Sequence, residues 1–173
     1  MIGLKQLTLE AVCLSCDGCC RYAERDTVWA PLFLFEEIVE LTEKNILPVC
    51  LFTHAHMRSK SPARIDLLKY GEGYICPCFD LREKKCKIYP FRPLDCRLYP
   101  FLLVRQGKKS FLAVDEHCPY AKESLDVPAT REYVRALCEF LRSKEFVALV
   151  KDNPEIIQTY PQAFKILEPL PQF

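Results

Sequence analysis

Apolar and polar positions follow different rhythms along the chain. From Pro31 to Asn45 the rhythm is helical: Leu34, Ile38 and Leu41 fall on one side, and Glu36, Glu37, Glu40 and Glu43 on the other. The spacing predicts an amphipathic helix that Pro31 opens and Asn45 closes, with the glutamates on a solvated face. A second helix is predicted from Thr130 to Asn153, with Val134, Leu137, Leu141, Val147 and Val150 on its buried side and Asn153-Pro154 as its stop. Cys138 shares that apolar side and reads as an inert buried thiol. Leu102 to Val114 reads as a hairpin turning at Gln106 to Lys109. Arg64 to Tyr74 reads as a strand, then a glycine turn at Gly71 to Gly73 that leads to Cys76. The run Ile46 to Phe52 suggests a strand, with Cys50 as a small buried hydrophobe. Residues 1–12 alternate loosely through Leu4, Leu7, Leu9 and Val12, as a short strand or a leading segment. The last twenty residues, with Pro154, Pro161, Pro169 and Pro171, read as short helical turns and an extended tail.

Composition narrows the class. A chain of 173 residues, half of them apolar, can bury one core and carry a small appendage. The fold expected is α+β. A small irregular cysteine-centred domain with short hairpins and helices covers residues 1–125, and a C-terminal helical extension covers 126–173. A net charge of +1 makes no general case for nucleic acid or membrane binding. No apolar stretch is long enough to span a bilayer, and the start lacks the pattern of a signal peptide. The expected location is therefore the cytoplasm. There thiols stay reduced, and eleven cysteines in clusters point to metal ligation rather than disulfides.

Two clusters carry the chemistry. Cys13, Cys16, Cys19 and Cys20 lie in CLSCDGCC, where C-x-x-C turns let two thiolates reach one metal while turn amides hydrogen-bond the sulfurs. Gly18 frees the bend, and the adjacent pair Cys19-Cys20 departs from a ferredoxin run. The second cluster places Cys76, Cys86 and Cys96 ten residues apart, the last two opening a repeat of Cys-x-x-Tyr-Pro-Phe. Ten residues span about 15 Å as helix and about 33 Å as strand, so the chain must double back if these thiols share a metal. Pro77, Pro90, Pro93 and Pro100 preset such bends. Cys118 follows the predicted hairpin, a suitable place for a last ligand. His117 beside it would point away, and His54 and His56 share one side if extended. Between Asp80 and Ser110 nine basic residues face three acidic ones, which lowers the cost of a negatively charged thiolate site. The rivals are a solvated basic surface and a nucleic-acid patch. Arg92 and Arg97 either donate to thiolate or sulfide of a bound cofactor or pin their loop. Tyr89 and Tyr99 read as packed rings shielding the site.

These motifs resemble the YkgJ-like family of cysteine-cluster proteins, described as a CxxCxxCC zinc- or iron-chelating domain. Cys13, Cys16, Cys19 and Cys20 match the name motif. Cys76-Pro77, Cys86 to Tyr89, Arg92-Pro93, Cys96-Arg97 and Tyr99 to Phe101 match its second block, and Cys118-Pro119 its close. The match runs over about residues 10–120. It implies a metal or iron–sulfur site using Cys13, Cys16, Cys19, Cys20, Cys76, Cys86, Cys96 and Cys118. Cys78 departs from the family's apolar or aromatic residue, which leaves open whether Cys76 or Cys78 is the ligand. A more distant resemblance extends to flagellin lysine N-methylase-type proteins.

The function expected is metal binding, in redox or metal handling with a protein or redox partner. The cofactor is an iron–sulfur cluster, slightly favoured by the surplus thiolates, or zinc. One alternative is a methyl-transfer enzyme, against which the five glycines form no glycine-rich loop for an adenosyl cofactor. Another is a structural zinc module that binds a partner or nucleic acid through the basic stretch.

Overall fold

The computed structural model of the chain describes residues 16–52, 60–161 and 164–171. The fold is α+β, as expected: among the described residues there are five α-helices and four small antiparallel sheets. The described chain up to Arg97 forms one compact unit, and that from Leu98 forms a second.

In the first unit, β1 (Arg21–Tyr22) pairs with β5 (Gly73–Ile75), which pairs in turn with β4 (Leu68–Tyr70). The predicted glycine turn joins β4 to β5. Gly71 sits there at φ +58°, a conformation that costs a residue with a Cβ. β2 (Leu32–Phe33) pairs with β3 (Ala63–Arg64). The predicted first helix is shorter than its pattern: α1 spans Phe35–Glu43, because Leu32 and Phe33 are taken up by the β2–β3 ladder. Ile38 and Leu41 are buried as expected, and with Phe33, Phe52, Ile65 and Leu67 they form the core. The Phe33 and Phe52 rings meet edge to face at 5.1 Å. Val49–Leu51 is a 3-10 turn rather than a strand. It follows Pro48, and it leaves Cys50 exposed instead of buried. β6 (Phe79–Asp80) and β7 (Lys85–Cys86) make a hairpin, and α2 (Leu94–Leu98), all but its last residue, closes the unit.

In the second unit, β8 (Phe101–Gln106) and β9 (Lys109–Asp115) form the predicted hairpin, with Gly107 at φ +59° in its turn. The tail does more than extend: β10 (Phe164–Pro169) pairs with β9 and completes a sheet of order β10-β9-β8. α3 (Pro119–Ser124) follows the hairpin. The single helix expected over Thr130 to Asn153 is two, α4 (Pro128–Leu141) and α5 (Lys144–Asp152). Ser143 breaks it by accepting a hydrogen bond from the Phe146 backbone nitrogen and capping α5. Leu137, Leu141, Phe146 and Val150 are buried, as are Val104, Leu112 and Val114 of the sheet, and Cys138 is buried as expected. Among the described residues no helix is long and apolar enough to cross a membrane.

Candidate metal centre

Cys19 and Cys20 stand in a 3-10 turn, Gly18–Cys20, directly before β1. Cys76 and Cys78 flank Pro77 directly after β5. The β1–β5 ladder therefore brings the two clusters together, and the Cys76 nitrogen donates to the Cys20 carbonyl at 2.9 Å. Gly73 permits this approach, since a Cβ there would lie 2.6 Å from the Tyr22 carbonyl oxygen. The chain then doubles back through the β6–β7 hairpin, as the ten-residue spacing requires. Phe79 pairs with Cys86, and the Lys87 nitrogen donates to the Cys78 carbonyl at 2.8 Å.

Cys96 arrives on α2, whose position is fixed from α1. The Leu94 nitrogen, at the helix start, donates to Glu37 Oε1 at 2.7 Å. The other oxygen of Glu37 accepts from the Leu34 nitrogen at 2.9 Å, which caps α1 as well. In return Asp95 accepts from the Leu32 nitrogen at 3.0 Å. Glu37 is thus no part of a solvated face, since its neighbours withdraw most of it from water. Burial pushes its carboxyl up to about 7, against the opposing pull of both amides and Arg97.

The thiols interact in pairs. Cys20 donates a hydrogen bond to the Cys19 sulfur, which lowers the Cys19 pKa and raises that of Cys20. Cys78 does the same for Cys76, whose sulfur also accepts from the Cys78 backbone amide. Burial holds the Cys86 thiol up to about 11, and its sulfur accepts from the Ile88 amide. Cys96 is pushed well above the thiol range, first by burial and then by Asp95, Cys76, Cys19 and Cys86. Each of Cys19, Cys20, Cys76, Cys78, Cys86 and Cys96 acts on the titration of at least one other of them. They grade from buried Cys76 and Cys78 to exposed Cys19. Cys16 lies near the same turn, its sulfur 3.6 Å from where a Cβ on Gly18 would stand. Cys118 is buried in the second unit at the start of α3. Cys13, His54 and His56 lie outside the described residues.

The two candidate arginines differ. Arg92 stacks 3.5 Å above the Tyr89 ring centroid and donates from Nε to the Tyr89 carbonyl at 2.9 Å. In that position it lowers the Cys19 and Cys86 pKa values, and Lys87 acts likewise on Cys76. Arg97 instead faces Glu37, with Nη2 3.6 Å from Oε1. Tyr99, read as a shield, donates to Asp115 at 2.9 Å in the second unit. His117 is largely exposed and rests its Nδ1 3.1 Å from Asp115. Sequence reasoning missed Tyr22, two residues after Cys20. Its hydroxyl donates to the Cys19 carbonyl at 2.6 Å. Burial raises its pKa first, followed by the charges of Cys76, Cys96, Cys20 and Cys19.

Among the described residues no three His, Cys, Asp or Glu side chains stand as one coordinating set; the sulfurs are joined in thiol pairs instead. The donor set nevertheless suits a thiophilic metal: amides aim at three of the sulfurs, and two cations act on the same three.

An α+β unit built to gather cysteines from both ends of its sequence defines a cysteine-cluster protein. Residues 12–119 match the CxxCxxCC family model, described as "Putative zinc- or iron-chelating domain", and the chain belongs to that family. No curated protein and no solved structure matches the chain.

Proposed function

We propose that the first unit is a thiolate metal centre for zinc or iron, and that the protein serves metal handling. The ligands are drawn from Cys19, Cys20, Cys76, Cys86 and Cys96, with Cys16 and Cys13 able to add to them from the same motif. When bound, the metal takes up thiolate charge that the unit would otherwise hold as protonated thiols. The chain's own residues supply the rest. Amides of Cys78 and Ile88 point at sulfur, Arg92 and Lys87 offset negative charge, and the Glu37 and Asp95 contacts hold α2 so that Cys96 faces the set.

The observation that carries this reading is the gradient of exposure across hydrogen-bonded thiols. Cys76 and Cys78 form a buried base, and Cys19 forms an exposed rim. A rim thiolate can exchange with an incoming ligand while the base keeps its hold, which suits acquisition and delivery better than a closed structural site. The test is anaerobic titration of the reduced, metal-free protein with zinc against a chromophoric chelator. Tight binding with release of protons is expected, because ligating thiols must ionise. Fully reduced protein that leaves all the zinc on the chelator would overturn the reading.

A further inference from the structure

Outside residues 12–119, which the family model covers, the second unit holds a cleft of about 470 Å³. That volume falls within the range of about 300–1,000 Å³ usual for small-molecule sites. The ladders explain where it lies. Phe101 stands opposite Val114, and Val114 opposite Lys165, so the three share one face of the sheet. The Phe101 ring stacks on Tyr133 of α4 at 5.7 Å, so that face is the one the helix covers. α4 forms one wall of the cleft, and the edge strand β10 forms the other. Arg131, Arg135, Cys138 and Arg142 recur at the spacing of one helix side and line the first wall. Lys165, Leu167 and Glu168 line the second. The inner lining is apolar: Leu125, Val134 and Leu167 are half-buried and Cys138 is buried, whereas the charged residues of the cleft are exposed.

Two of the cations are already engaged. Arg142 Nη2 crosses the cleft to the Pro169 carbonyl at 3.3 Å and lies 3.8 Å from Glu168. Arg131 Nη2 donates to the Asp126 carbonyl at 2.8 Å. The side chains of Arg135 and Lys165 enter no ion pair or hydrogen bond with a described residue. Four cations against the carboxylates of Asp126, Glu139 and Glu168 leave one positive charge. We propose that this cleft binds a small amphiphilic monocarboxylate, with its head on Arg135 and Lys165 and its apolar body against Leu125, Val134, Cys138 and Leu167. A guanidinium matches a carboxylate with two parallel hydrogen bonds. A surplus of one charge suits a single anionic head and disfavours a polyanion. The body gains by covering the apolar lining, which water otherwise wets. No cysteine of the metal centre takes part, so this site stands whether or not the first unit holds metal.

The test is proton–nitrogen correlation NMR of the full-length reduced protein titrated with octanoate. Saturable shifts centred on residues 125–142 and 165–168 are expected. Octanol, which lacks the charge, and acetate, which lacks the body, should each bind about tenfold more weakly or worse. Arg135→Ala and Lys165→Ala should each weaken octanoate about tenfold and leave the rest of the spectrum unchanged, because both side chains are exposed. An N-acetylated valyl-leucine acid run alongside separates a peptide C-terminus from a straight-chain acid; tighter binding of one names the source, and either supports the proposal. Shifts that do not saturate with either acid, shifts centred elsewhere, or octanol that binds as well as octanoate would overturn it. Unchanged octanoate affinity in the double variant Arg135→Ala, Lys165→Ala would do the same. Shifts in these residues on concentrating the protein alone would mark the cleft as a contact between copies and also overturn the proposal.

Discussion

The carboxylate of Glu37 accepts a hydrogen bond from the Leu94 backbone nitrogen at 2.7 Å and so anchors the short helix that carries Cys96. It also accepts from the Leu34 nitrogen and faces Arg97, so one side chain serves two helix starts. Glu37→Ala leaves two amide donors without their acceptor and should destabilise the protein by about 2–3 kcal/mol. Glu37→Gln keeps one strong acceptor oxygen and should cost about half of that. Urea unfolding of the reduced, metal-free protein, with equal m-values, checks both.

The same residue sets a pH dependence. Its folded pKa is raised, from an ordinary 4.5 to about 7, so the folded chain holds a proton there that the unfolded chain releases. Its contribution to stability is complete below pH 4.5 and is lost as pH rises through 7, by up to about 3 kcal/mol. Stability profiles of wild type and Glu37→Gln should differ in slope across that window, with the wild type falling more steeply as pH rises. Parallel profiles would remove Glu37 as the cause.

Arg92 and Arg97 should separate under substitution. Arg92→Ala removes a cation that favours the Cys19 and Cys86 thiolates. Metal affinity at pH 7 should fall about tenfold, the equivalent of about one pKa unit in proton competition. The deficit should shrink as pH rises and the thiols ionise unaided. Arg97→Ala acts on the Glu37 contact and should lower stability with little pH-dependent loss of affinity. Chelator competition at several pH values distinguishes the two.

Gly73 and Gly107 make a second contrast. A Cβ at Gly73 would meet the Tyr22 carbonyl at 2.6 Å, so Gly73→Ala must push β1 from β5 and draw Cys20 away from Cys76. A loss of about 2 kcal/mol or more, with weakened metal binding, is expected. At Gly107 the added Cβ meets open space and only the positive φ opposes it. Gly107→Ala should therefore cost about 1 kcal/mol and leave metal binding unchanged. Thermal melts and zinc titrations of both variants check this.

The legible parts of the fold were those whose signal is local. The hairpin turning at Gly107, the glycine turn at Gly71 and the buried side of α1 all follow from short-range pattern. The break at Ser143 was hidden because Leu137, Leu141, Val147 and Val150 keep a helical rhythm across it, and one capping hydroxyl outweighs that rhythm. Glu37 looked solvated because its sequence neighbours are charged. Its partner Leu94 is 57 positions away, and no periodicity reports such a contact. The cysteine pattern pointed to the candidate site but not to the pairing of Cys76 with Cys78, which depends on Pro77 and the ladder before it. Tyr22 gave no sign beyond its closeness to Cys20.

The central claim is that these thiols bind metal, and the most direct measurement is metal and acid-labile sulfide analysis of protein purified without oxygen, with an absorption spectrum of the same sample. The account predicts zinc or iron in whole-number ratio to the chain, lost or reduced in Cys76→Ser. Colour near 400 nm with sulfide would mark an iron–sulfur cluster, and a colourless zinc protein a thiolate centre. Metal-free protein with its thiols reduced, or with its thiols paired as disulfides, would contradict it.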